Sequence, residues 1–263
     1  MRSILSLAAW NWRMARRPYA ILCAVFAVQQ LAVLLYQVRR PDLLGAGLAA
    51  SYSEGLQIYA FGITFLLAGL LAGPAVNDQK RARCSYTWLT LPLPPAARLA
   101  AQALTAAVLL LGVVALQLVL YVLYFFPVQV MQNAAATQRI GQEAASMRFY
   151  EEVILNRGLY WLIPRRPLQA VLLALTLAAA ALLLTAVRLH RGWRRGAALL
   201  IGVVCGFACM TLLQYEQFYT RYDAAYRAAV VPTNWPGALA LLAVLLPFSV
   251  WWALRAIRRA EPA

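Results

Sequence analysis

Charge is what this chain has least of. Only 13% of its 263 residues are charged while 63% are apolar, whereas soluble domains carry about 25% charged side chains. So few charges do not cover a water-exposed surface, and the composition is that of a membrane protein. Lysine occurs once, as Lys80, preceded by Gln79 and followed by Arg81. A G-x-x-x-x-G-K-[ST] phosphate loop is therefore absent, and this chain supplies no such site for ATP. Histidine also occurs once. His190 lies between Arg188 and Arg191 with no Asp or Glu close in sequence, which excludes H-E-x-x-H and leaves a Ser-His-Asp triad without a good base. The four cysteines, Cys23, Cys84, Cys205 and Cys209, have no zinc or redox spacing. Cys205 and Cys209, four residues apart, read as small packing residues. Neither a metal nor any other cofactor is expected in this chain.

What is present is a set of long apolar runs. A helix crossing a bilayer needs about 20 such residues, and six stretches qualify: 19–38, 57–76, 99–126, 168–187, 196–213 and 236–254. The third exceeds the need, so it tilts or projects beyond the membrane. None contains Asp, Glu, Lys or Arg, which removes an aspartate-pair protease and argues against a proton relay or voltage sensor. The expected fold is all-α, a single polytopic membrane domain over residues 1–263 with six transmembrane helices. Residues 3–14, with Ile4, Leu5, Ala8 and Trp12 on one face, are expected to form an interfacial helix, set off from the first span by Pro18. A cleavable signal peptide fits poorly, because 19–38 is longer than the ~7–15-residue apolar core of such peptides.

Six spans put both termini on one side, and the basic residues say which. Of 24 Lys and Arg, fifteen fall on the side of the termini with two acidic residues, and nine fall opposite with seven. Basic residues collect on the cytoplasmic side, so both termini are expected in the cytoplasm of a cell (plasma or inner) membrane. The net charge of +15 then reports topology, and a nucleic-acid partner is not expected.

Two external segments, 127–167 and 214–235, are longer than connections require. The first is expected to carry a helix over about 130–155, either a cap over a substrate path or a plain linker. The second places Tyr215, Phe218, Tyr219, Tyr222 and Tyr226 on one helical face, an interfacial aromatic belt or a stacking platform for a ligand.

Between spans two and three lies "NDQKRARCSYTWLTLPLPPAARLAA", residues 77–101. It joins Asp78, Lys80, Arg81 and Arg83 to Tyr86, Trp88 and Leu89, followed by Pro92, Pro94 and Pro95. Read on residues alone, it is either a solvated basic loop anchored by Trp88 or a short helix over 78–89. Its end, "WLTLPLPPAARLAAQAL", resembles the permease subunits of ABC-2-type transporters, whose cytoplasmic segment before span three ends in a Leu-Leu-x-x-Pro-like motif. Leu89, Leu91 and Pro92 match it, and Arg98 stands where a basic residue often opens the next helix. Asp78, Lys80 and Arg81 occupy the place of the family's Glu-Arg…Gly run without its glycine, and Pro94-Pro95-Ala96 departs from its usual step. The resemblance implies a permease that pairs with a second copy (homodimer) or a related permease (heterodimer) and binds a separate ABC ATPase, which holds the ATP and Mg. It further implies that residues 77–98 form the coupling segment. In that reading Tyr86, Trp88 and Leu89 supply apolar contacts, while Arg81 and Arg83 meet acidic groups of the ATPase. Charge-free spans suit a large amphiphile such as a peptide antibiotic, drug or lipid, and the resemblance implies that it is exported. The alternatives are a membrane-embedded lipid- or envelope-modifying enzyme, for which Glu143, Glu151 and Glu152 are the long segment's only carboxylates, and a non-transporting scaffold or sensor.

Overall fold

The computed structural model describes residues 2–38, 48, 57–72, 93–140, 167–189, 196, 200 and 235–260. Among them every regular element is a helix: α1 (Arg2–Val38), α2 (Gln57–Leu70), α3 (Pro95–Ile140), α4 (Pro167–Leu189) and α5 (Trp235–Ala260). Three are long and apolar enough to cross a membrane, over Ser3–Gln37, Pro95–Met131 and Ala170–Val187. They cover the expected spans one, three and four. The second and sixth expected spans coincide with shorter apolar helices, Tyr59–Leu70 and Leu239–Arg255. Of span five only Gly196 and Leu200 are described.

Prolines mark where expectation and structure part. Pro18 does not separate two helices but lies inside α1, which runs unbroken for 37 residues. Proline removes one backbone donor and crowds the carbonyl four residues back, here that of Met14. A long apolar helix tolerates that local loss. Pro127 likewise lies inside α3, so the first part of the helix expected over 130–155 is a continuation of span three. At 46 residues and 1.5 Å per residue, α3 is about 69 Å long, more than twice the ~30 Å hydrocarbon core.

The chain forms two compact units. In the first (Met1–Tyr19, Leu66–Leu111, Pro164–Ala263), Leu7 and Ala8 of α1, Leu99 and Ala101 of α3, Ala186 of α4, and Ala253 and Ile257 of α5 share a buried cluster. Ala101, Ala186 and Ala253 are wholly buried. Lipid tails are as apolar as leucine, so association in a bilayer depends on close packing, and small side chains allow backbones to approach. The contacts also give directions. The hydroxyl of Thr105 donates to the carbonyl of Ala8 (3.4 Å) and that of Tyr19 to Leu109 (3.1 Å), so α1 and α3 run the same way. Near their starts, α4 and α5 meet through Leu172 and Leu242. They meet again near their ends through Ala186 and Ala253, so these two are also parallel.

In the second unit (Ala20–Phe65, Gly112–Ile163) α1 and α2 are antiparallel. The side-chain amide of Gln30 donates to the backbone carbonyl of Gln57 (3.5 Å), and that of Gln57 donates back to Gln30 (3.4 Å). One helical step further from this clasp, Phe26 and Phe61 pack ring to ring at 6.5 Å. Tyr124 of α3 donates to the carbonyl of Ala27 at 3.1 Å.

Candidate functional site

The residues singled out for chemistry lie outside the described ones: Asp78, Lys80, Arg81, Arg83, Tyr86, Trp88 and Leu89 of the basic segment, and the aromatic stripe Tyr215, Phe218, Tyr219, Tyr222 and Tyr226. Glu143, Glu151 and Glu152 do so too. What the structure does describe is the pair of anchors from which the basic segment leaves and to which it returns.

On the entering side α2 closes with a turn. The amide of Leu71 donates to the carbonyls of Leu67 and Ala68 (both 3.1 Å), and that of Ala72 to Gly69 (3.3 Å). On the leaving side α3 opens at Pro95, where the missing donor costs nothing because first-turn amides have no helical partner. Pro94 supplies the acceptor for the amides of Ala97 (2.9 Å) and Arg98 (3.3 Å). A side chain joins the two sides: the amide of wholly buried Gln102 donates to the carbonyl of Ala72 at 3.2 Å. Ala72 is at the exit of α2, where carbonyls lack a helical donor, so Gln102 fills a vacancy that the fold creates. Ala72 thus adjoins α3 at Gln102, nine residues beyond Leu93, where the described chain resumes.

The anchors are keyed into the first unit. Leu93 packs on the cluster of Leu99, Ala101, Ala186 and Ala253. Arg98 is 6% exposed. Gly69, one turn before the exit, has so little room that a Cβ there would overlap the side chain of Leu184 and stand 3.3 Å from Leu110. Through these contacts α2 meets α3 and α4, and α3 meets α1.

The carboxamides Gln30, Gln57 and Gln102, absent from the sequence-predicted site, tie the helices together. They were within reach as nearly the last strong hydrogen-bonding groups left inside the apolar runs.

Among the described residues no three His, Cys, Asp or Glu stand together as metal ligands. The described chain is all-helical, with three helices of membrane-crossing length and composition. Comparison with family models, curated proteins and solved structures finds no match.

Proposed function

We propose that the chain is the membrane-spanning permease subunit of an ABC-2-type transporter, exporting an amphiphile and driven by a separate ATPase. The observation that carries this reading is the clip between Gln102 and Ala72. It ties the exit of α2 to α3, the two helices between which the basic segment runs. A partner gripping that segment would move two helices as one lever, which a slack loop does not do.

Helix directions support six crossings. Two parallel helices that both traverse a bilayer need a return crossing between them. For α1 and α3, α2 is that return. For α4 and α5, the apolar stretch 196–213 is the segment available. Both termini then share a side, and the basic residues assign it to the cytoplasm of the cell membrane. The exposed Ile21, Val25, Val28, Val119 and Leu123 face lipid in this arrangement, and residues 3–14 of α1 lie at the cytoplasmic interface. A second permease copy or a related permease completes the transporter.

The test is to look for a Walker-motif ATPase encoded beside this chain and to co-express the two. The chain should retain that subunit through purification, and vesicles holding both should move amphiphiles outward on ATP addition. Arg81→Glu with Trp88→Ala should leave the permease folded and abolish ATP-driven transport. Full transport by the double variant refutes the coupling role, and inward movement alone refutes export.

A further inference from the structure

The described helices contain no acidic residue: all nine Asp and Glu of the chain fall elsewhere. Arginines are nonetheless present on their surfaces, and three of them gather on α1. Along α1 the exposed Leu5 (60%) and Trp12 precede the exposed Arg13, Arg16 and Arg17, and the exposed Ile21 (66%) and Val25 follow them. The three arginines at i, i+3 and i+4 share one side of the helix. Exposed apolar residues precede and follow this cationic band along the helix, and no carboxylate of the described helices neutralises it.

The position of the band along α1 points to its counter-ion. From Pro18 to the end at Val38, 1.5 Å per residue gives about 31 Å, matching the ~30 Å hydrocarbon core. If that length crosses the bilayer, the arginines stand at its boundary. Side chains on a helix lean toward its N-terminus, which carries the three guanidinium groups outward, away from the hydrocarbon. The rings beside them suit the same depth: Trp12 and Tyr19 pack at 6.0 Å, and Tyr19 is held by its bond to Leu109. On α5, Arg255 stacks over the exposed Trp251 at 5.1 Å, repeating the pairing of guanidinium and aromatic ring.

We propose that Arg13, Arg16 and Arg17 form a binding surface for the phosphate of anionic phospholipids, with Trp12 and Tyr19 seated among the glycerol and upper acyl groups. The planar guanidinium engages two phosphate oxygens at once. Three such groups on one helical side favour a headgroup of net negative charge over a zwitterionic one, whose ammonium they repel. The inference rests on the membrane reading, not on transport, and its test needs no ATPase.

The experiment places the full chain in nanodiscs of mixed phosphatidylglycerol and phosphatidylcholine, then measures by native mass spectrometry which lipid stays bound. Wild type should retain phosphatidylglycerol preferentially. Basic residues at a membrane surface contribute about 1 kcal/mol each, close to fivefold apiece. Arg13→Gln, Arg16→Gln and Arg17→Gln together should therefore cut the preference by at least tenfold. The triple lysine variant keeps charge without the fork and should fall between, and added salt should erode the wild-type preference. Equal retention of both lipids by wild type, or an unchanged preference in a triple glutamine variant of native helical content, overturns the proposal. So does displacement of the lipid by millimolar glycerol phosphate, which would mean that the surface takes free phosphate. Should the glutamine variant fail to fold, absence of a salt effect on wild type serves as the refuting result.

Discussion

Gly69 is where one added methyl should be felt most. An alanine Cβ there would overlap Leu184 and lie 3.3 Å from Leu110. Leu184 is only 5% exposed and Leu110 wholly buried, so neither has free space to retreat into. Overpacking of this kind costs about 1–3 kcal/mol. Replacing glycine in a helix interior returns up to about 1 kcal/mol, and less here because α2 ends at Leu70. Gly69→Ala should therefore destabilise by about 1–2 kcal/mol. Leu184→Ala by itself vacates a buried site and costs up to about 2–5 kcal/mol on the soluble-protein scale. Combined, the new methyl occupies space that the leucine gave up, so the double variant should be more stable than the sum of the singles predicts by at least about 1 kcal/mol. Helicity followed through a detergent-denaturant titration in mixed micelles measures all four corners of the cycle. Additivity within about 0.5 kcal/mol would refute the claim that Gly69 is a glycine because Leu184 packs there.

Other consequences follow from the same contacts. Gln102→Leu removes the bond to Ala72, worth about 0.6–1 kcal/mol in a membrane protein. It also removes a buried acceptor, Oε1, that has no partner, a relief of about 1–3 kcal/mol. Thermal stability should thus hold or rise while trypsin cleavage at Lys80–Arg83 accelerates, and a midpoint that drops by many degrees would contradict this account. Gln30→Leu and Gln57→Leu each delete one bond of the reciprocal clasp, a loss of about 0.6 kcal/mol and up to 1.7. Each also removes a buried Oε1 without a partner, so stability should change by no more than about 2 kcal/mol in either direction. A measured loss above 3 kcal/mol for either would mean that the clasp is not the whole of its role.

Much of the architecture was open to reading from the chain itself. Apolar runs of about twenty residues are long-range compositional signals that survive local detail, so helices of spanning length appear at 19–38, 99–126 and 168–187 as expected. Helix boundaries were less legible. Pro18 looked like a joint and Pro127 stood just past the expected third span, yet each sits inside a continuous helix, because a missing hydrogen bond bends a long helix more readily than it ends one. The candidate site was half legible: the basic, proline-punctuated stretch stands out in sequence, but the bond that ties the exit of α2 to α3 does not.

Composition and the order of apolar runs by themselves pointed to helices long enough to cross a membrane, and among the described residues every regular element is a helix, since a bilayer leaves the backbone few other ways to satisfy its polar groups. Which helices run parallel, that Gln102 reaches Ala72 thirty residues away, and that Gly69 yields its space to Leu184 were decided by tertiary structure. Helical periodicity orients a side chain relative to its own axis. Only packing determines what stands opposite it.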